Sequence, residues 1–122
     1  MPIRILLADD HLTFRQSLRQ LLERHNDFEV IAEATSGEEA VDLARAYLPD
    51  VILLDVRLIG MNGIQAIPHI RESSPKTAIL MLSMHLDRRY LMQSFAAGAR
   101  AYLLKDSSEG ALISTIRSLK KD

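Results

Sequence analysis

Asp9, Asp10, Asp55, Ser83 and Lys105 are the residues whose types and spacing could do chemistry together. Each follows or closes a short run of aliphatic residues, and Val51-Ile52-Leu53-Leu54-Asp55 is the most telling of them. A run that short and that apolar reads as a strand buried on both faces of a parallel sheet. In such a sheet the C-terminal strand ends share one edge, where open α/β folds place their ligand crevices. Three carboxylates gathered there repel one another unless a cation sits among them. Hard oxygen ligands with room for water suit Mg²⁺, which characteristically takes one or two carboxylates plus a substrate phosphate. A hydroxyl from Ser83 and an ammonium from Lys105 would answer the remaining oxygens of a phosphoryl group. Asp55 is then the central nucleophile, able to carry phosphate on its carboxylate. Singly, each residue has a plainer role: Asp9 or Asp10 as a helix cap, Asp55 or Ser83 in a turn, Lys105 as a solvated charge. Their joint placement at strand ends is what favours the chemical reading.

The elements that must hold these residues are legible from periodicity. Ile3–Ala8, Phe28–Ala32, Val51–Asp55, Ala78–Leu82 (ending at Ser83) and Ala101–Leu104 read as strands, the second with the partial alternation of a sheet edge. Phe14, Leu18, Leu21 and Leu22 recur at helical spacing within 11–25. Ser36 with Glu39 predicts a capping box opening a helix lined by Ala40, Ala44, Tyr47 and Leu48, which Pro49 stops. Ile64, Ile67 and Ile70 predict a helix over 64–72, with Pro68 removing a hydrogen bond and kinking it. A helix over 87–97 should turn Leu91 and Phe95 inward and close at Gly98. Asp106 or Ser107 should cap a last helix carrying Leu112, Ile113, Ile116 and Leu119 on one face. Strands alternating with helices over short connections predict a parallel α/β sheet covered on both faces through right-handed crossovers.

The bulk numbers narrow the function classes. With 122 residues, 48% hydrophobic and 25% charged, the chain suits one domain with a single core. A net charge of −1 gives no electrostatic footing for nucleic-acid binding by this segment. The absence of cysteine excludes disulfides, thiolate metal sites and cysteine nucleophiles. No apolar run approaches the roughly 20 residues of a membrane span, and the start lacks a signal-peptide pattern, so a cytoplasmic location is expected.

Asp9-Asp10-His11, Asp55, Ser83 and the segment Gly98-Ala99-Arg100-Ala101-Tyr102-Leu103-Leu104-Lys105-Asp106 closely resemble the receiver domains of bacterial two-component response regulators. The acidic pair with its histidine, and the Gly-Ala-x-Gly-Tyr-Leu-Leu-Lys-Asp-like segment, match the NarL/LuxR-type subfamily. The resemblance covers the whole chain. It implies a flavodoxin-like (βα)5 doubly wound sheet of order 2-1-3-4-5. It implies that residues 1–122 form a receiver domain, the N-terminal part of a longer chain with a helix-turn-helix output domain. Asp55 would accept a phosphoryl group from a sensor histidine kinase, with Mg²⁺ held by Asp10, Asp55 and the Arg57 backbone carbonyl and by Asp9 through water. Lys105 would pair with the phosphoryl oxygens, Ser83 would move to hydrogen-bond them, and Tyr102 would swing inward behind it. The fourth helix, fifth strand and last helix would be the moving surface, with homodimerisation on phosphorylation and control of transcription as its readout. Such a chain would be a phosphoacceptor that phosphorylates and dephosphorylates itself, not a turnover enzyme.

The sequence departs from that pattern in places. Leu58-Ile59 stand where the family carries Met-Pro, which implies a looser loop with the ligands intact. Ala101 replaces the glycine before the switch tyrosine and narrows the room for its movement, and Pro68 is unusual. Arg57 and His85 lie two residues beyond Asp55 and Ser83, on the path by which water would reach an acyl phosphate, where they could tune its lifetime. Competing readings fare worse. An aspartyl-phosphate phosphatase wants a second carboxylate where Arg57 stands. A flavin carrier wants a hydroxyl- and glycine-rich phosphate loop where Asp9-Asp10 would repel an anion. A phosphorylation-independent interaction module leaves Asp10, Asp55, Ser83 and Lys105 without a purpose.

Overall fold

The computed structural model describes residues 1–120. The strands are β1 (Ile3–Ala8), β2 (Phe28–Ala34), β3 (Val51–Asp55), β4 (Ala78–Ser83) and β5 (Ala101–Leu104). The helices between and after them are α1 (Leu12–Glu23), α2 (Gly37–Tyr47), α3 (Gly63–Ser73), α4 (Arg88–Ala97) and α5 (Glu109–Lys120). All strands are parallel, in the order β2-β1-β3-β4-β5, so the doubly wound flavodoxin-like sheet expected from the sequence is the one observed. β2 runs two residues further than its aliphatic pattern suggested.

The aliphatic runs are continuous because successive residues serve opposite faces. Ile5, Leu7, Leu53, Leu80 and Leu82 face α1 and α5, meeting Leu18, Leu22, Leu112, Ile113 and Ile116. Leu6, Ile52, Leu54, Ile79 and Met81 face the other way, into Ala40, Ala44, Ala66, Ile67 and Ile70 of α2 and α3. The chain leaves β1 toward β2 on one side and reaches β3 on the other. This reversal opens a crevice beyond the ends of β1 and β3.

Several local expectations are corrected. Ser36 does accept a hydrogen bond from the Glu39 N–H, but the Glu39 carboxylate bonds the N–H of Thr35 at 2.7 Å, so the capping box is incomplete. A full box exists instead at α3, between Asn62 and Gln65. Tyr47 and Leu48 are exposed: Leu48 ends α2 with a left-handed backbone (φ 49°), which takes its side chain off the helix's inner face. The helix expected over 64–72 is present as α3, with the exposed Pro68 inside it. On α4, Ser94 is the buried residue and Phe95 is exposed, because Tyr90, Ser94 and Ala97 form the face turned to the sheet. The cap of α5 is Ser108, whose hydroxyl accepts from the Ala111 N–H at 3.1 Å, and neither Asp106 nor Ser107. No helix among the described residues is long and apolar enough to cross a membrane.

Candidate functional site

Asp9 follows β1 and extends its ladder, its N–H donating to the Ala34 carbonyl at 3.0 Å. Asp55 closes β3, and Ser83 closes β4 directly beside β5. Lys105 follows β5, and its N–H donates to the Ser83 carbonyl at 2.8 Å, which fixes where its side chain starts. The strand ends therefore converge as the sequence pattern required.

The Lys105 ammonium lies 2.7 Å from Asp9 Oδ2 and 2.9 Å from Asp55 Oδ2, and all three side chains are almost fully buried. The Phe14 ring stands 4.6 Å from the same ammonium and closes off its inner side. Asp55 Oδ1 accepts the N–H of Arg57 at 3.1 Å. Burial pushes the Asp55 carboxyl above the ordinary carboxylate range and Asp9 adds to that, while Lys105 and the Arg57 amide oppose it. Burial alone would pull the Lys105 ammonium down, but its bonds to Asp9 and Asp55 outweigh this and raise it.

Asp10, Asp55, Arg57, Ser83 and His85 line one side-opening cleft of about 470 Å³, together with Leu58, Met84 and Tyr90. Ser83 Oγ donates to the His85 carbonyl at 2.8 Å, so its hydroxyl is engaged within its own loop. Tyr102 is not among the cleft's residues. It pairs with Met81 in register, packs on the α2–α3 side of the core, and buries its hydroxyl without a hydrogen-bond partner among the described residues.

The loop after Asp55 is held tightly without a proline. Leu58 is buried, Ile59 pairs with Ser36 as an isolated bridge, and the Met61 N–H donates to Glu38 Oε1 at 3.1 Å. That bond also draws the Glu38 carboxyl below its ordinary range. Gly63 then lets α3 begin against the site: a Cβ there would stand 2.0 Å from the Asp55 carbonyl oxygen. These supports went unread in the sequence, since Glu38 and Gly63 act through distant backbone.

His11 is the other residue that sequence reasoning left without a role. Its Nδ1 stands 3.3 Å from Asp9 Oδ1 and 3.4 Å from Asp10 Oδ1. Ligand atoms from Asp9, Asp10, His11 and Asp55 all lie within 4.8 Å of one another. Asp10 Oδ1 is buried and has no hydrogen-bond donor among the described residues, so an acceptor faces the pocket unsatisfied. Oxygen-rich, crowded and electrically incomplete, the pocket fits a divalent cation.

Comparison with known proteins identifies the family of the chain. Residues 5–117 match the response regulator receiver domain family. The chain is 37% identical over 115 residues to the transcriptional regulatory protein DegU of Brevibacillus brevis, covering 94% of this chain and 49% of that protein. It is 38% identical over 120 residues to the oxygen regulatory protein NreC of Staphylococcus aureus, covering 98% and 55%. The chain thus spans about half the length of these curated relatives. Among solved structures, the signal receiver domain of a Mycobacterium tuberculosis NarL response regulator superposes with a TM-score of 0.93 at 33% identity, covering 98% and 97% of the two chains. A LuxR-family two-component response regulator from Aurantimonas sp. SI85-9A1 gives a TM-score of 0.93 at 36% identity, covering 99% and 86%. The chain belongs to the response regulator receiver domain family of two-component signalling, and within it to the NarL/LuxR type.

Proposed function

We propose that this receiver is switched by phosphorylation of Asp55. The observation that carries the proposal is the placement of Asp55 between the Lys105 ammonium and the open cleft that Asp10 lines. In the transfer, an Asp55 carboxylate oxygen attacks the phosphorus of a phosphohistidine on a sensor kinase. The P–N bond of the donor breaks, an acyl-phosphate P–O bond forms, and the freed imidazole takes up a proton. When Mg²⁺ binds, Asp10, Asp55 and the Arg57 carbonyl would hold it, with Asp9 acting through water, and it would supply charge neutralisation for the phosphoryl oxygens. Lys105, anchored by Asp9, is placed to pair with one of those oxygens.

Ser83 exchanges its bond to the His85 carbonyl for a phosphoryl oxygen, and Tyr102, whose hydroxyl is already buried, repacks behind it. The α4–β5–α5 surface then changes its affinity for an output domain or a second copy. Arg57 and His85 stand at the mouth of the cleft and tune how long the phosphoryl group lasts. In the cell this is a cytoplasmic phosphoacceptor, not a turnover enzyme. It is joined to a helix-turn-helix output domain, by analogy with the DNA-binding LuxR-family regulator of Staphylococcus aureus.

The test is the intact mass after incubation with acetyl phosphate, with and without Mg²⁺, beside Asp55→Asn. A Mg²⁺-dependent gain of one phosphoryl group, absent from the variant, is expected. No gain in the wild type overturns the proposal.

A further inference from the structure

We infer that Arg15 is a positioning residue for the acidic pair, clamping the Asp9–Asp10 peptide against the edge strand β2 so that Asp10 is presented to the pocket. The inference rests on the reading of that pocket as the seat of Mg²⁺, and it gives a task to a side chain that does not line the cleft.

The backbone poses the problem. The ladders from β1 to its two neighbours end at Ala8, and Asp9 adds one more bond by donating its N–H to the Ala34 carbonyl. The Asp9 carbonyl lies beyond the ladder, in a residue only 2% exposed, where an unpaired acceptor is costly. The Arg15 guanidinium supplies the donor, one terminal N–H reaching that oxygen at 2.6 Å. The planar peptide unit that contains this oxygen also contains the Asp10 nitrogen. Holding the oxygen therefore fixes the direction in which the chain enters Asp10.

Arg15 is itself held. Its Nε donates to Glu33 Oε1 at 2.6 Å, and Glu33 stands on β2 opposite Leu7. The second Glu33 oxygen is taken by Arg19, one turn further along α1, whose Nε reaches Glu23 at 3.2 Å. Burial works to raise the Glu33 carboxyl, but the two arginines outweigh it and keep the group below its ordinary range. The Arg15 side chain is 11% exposed against 40% for Arg19, so solvent screens its bonds less. A guanidinium sends its N–H groups in fixed directions, and Glu33 on one edge sets where the other edge points. β2 thus reaches the acidic pair through a side chain carried by α1.

The opposing account makes Arg15 only a staple of α1 to β2. Arg19 separates the two accounts. It bonds the same carboxylate from the same helix, but its other bond runs to Glu23 and not to Asp9. A staple predicts that the two arginines behave alike, whereas a positioning role predicts that they part at the pocket.

The experiment is calorimetric titration with Mg²⁺ and urea denaturation of wild type, Arg15→Met and Arg19→Met, with the Asp10 amide followed by NMR in the metal-free protein. Both variants should lose stability. Arg15→Met should lose Mg²⁺ affinity by about tenfold, the usual consequence of removing a group that orients a ligand, while Arg19→Met stays within about twofold. The Asp10 amide resonance should shift in Arg15→Met and hold its place in Arg19→Met. Equal Mg²⁺ affinity in the two variants, or an Asp10 amide that Arg15→Met leaves unmoved, overturns the inference. Arg15→Lys, which keeps the charge without the planar fork, carries the same comparison if Arg15→Met does not fold. Failure of wild type to bind Mg²⁺ would overturn the cation reading, and the Asp10 amide would then decide the positioning alone.

Discussion

Lys105 and Asp55, fifty positions apart in sequence, form a buried ion pair at 2.9 Å that Asp9 shares from the opposite side. One ammonium thus serves two buried carboxylates, with a third, Asp10, in the same pocket. Without a cation, the pocket carries an excess of buried negative charge, which destabilises the fold. Asp55→Asn should therefore unfold at a higher temperature than wild type in Mg²⁺-free buffer, by about 4 °C for a gain of about 1 kcal/mol. Mg²⁺ at a hundred times its dissociation constant should add about 2.7 kcal/mol to wild type and far less to the variant, narrowing or reversing that order. Thermal melts in EDTA and in Mg²⁺ measure both effects.

The close approach at Gly63 makes a sharp prediction about the loop that presents Asp55. A Cβ at Gly63 would stand 2.0 Å from the Asp55 carbonyl oxygen and 2.9 Å from its carbon, and both are backbone atoms that cannot swing aside. Gly63→Ala should cost about 3 kcal/mol or more and displace the strand end that carries Asp55. Gly110, in the first turn of α5, has nothing within 4 Å of the corresponding position. Gly110→Ala should stabilise by about 0.5 kcal/mol through helix propensity. Urea denaturation of the two variants side by side checks the contrast.

The convergence at the strand ends was legible because each of Asp9, Asp55, Ser83 and Lys105 interrupts an aliphatic run, and a parallel sheet forces such interruptions onto one edge. Helix facing was less so. On α4 the spacing of Leu91 and Phe95 is as helical as that of Tyr90, Ser94 and Ala97, and only packing on α3 and β5 decides which stripe turns inward. The run Asp106-Ser107-Ser108 offers competent caps at every position, so the backbone path selects Ser108. Glu39 bonded Thr35 in place of Ser36, an exchange of one backbone N–H for its neighbour that no sequence signature records.

Acid sensitivity should arise in part from the opposite edge of β3. Asp50 accepts the Arg4 N–H at 2.8 Å and the Lys120 ammonium at 2.9 Å. Burial works to raise its carboxyl, but these two partners outweigh it and hold the group below the ordinary carboxylate range. A depressed folded-state value means that the stabilisation is fully present above that range and is lost as the pH falls through the depressed value. Asp50→Asn should accordingly cost about 1 kcal/mol at pH 7, after allowance for partial solvent screening. The gap to wild type should close in acid, which stability measurements across pH 2–7 test directly.

Arg57 and His85 sit at the cleft mouth, with the Arg57 amide already committed to Asp55 and both side chains exposed. Their removal should admit water to an acyl phosphate on Asp55. The double variant Arg57→Ala, His85→Ala should lose its phosphoryl group about tenfold faster, a barrier change of about 1.4 kcal/mol. Decay of the phosphorylated mass over time gives the rate, and an unchanged rate assigns both side chains to the solvent alone.

Two hydroxyls beneath α4 and on β5 carry the last prediction. Ser94 is fully buried on the inner face of α4, and Tyr102 buries its hydroxyl from β5; neither has a hydrogen-bond partner among the described residues. A buried hydroxyl without a partner forfeits its bonds to water and destabilises the state that contains it. Ser94→Ala and Tyr102→Phe should each stabilise the unphosphorylated protein by about 1 kcal/mol, read as a higher urea midpoint at constant m-value. The same unmet hydrogen bonds weaken the seating of α4 and β5, the elements the proposed switch must move. The stabilised variants should therefore show a smaller phosphorylation-dependent change in amide exchange over residues 88–104. A lower midpoint in both variants would mean that the hydroxyls are satisfied in the unphosphorylated state and that the looseness of α4 has another origin.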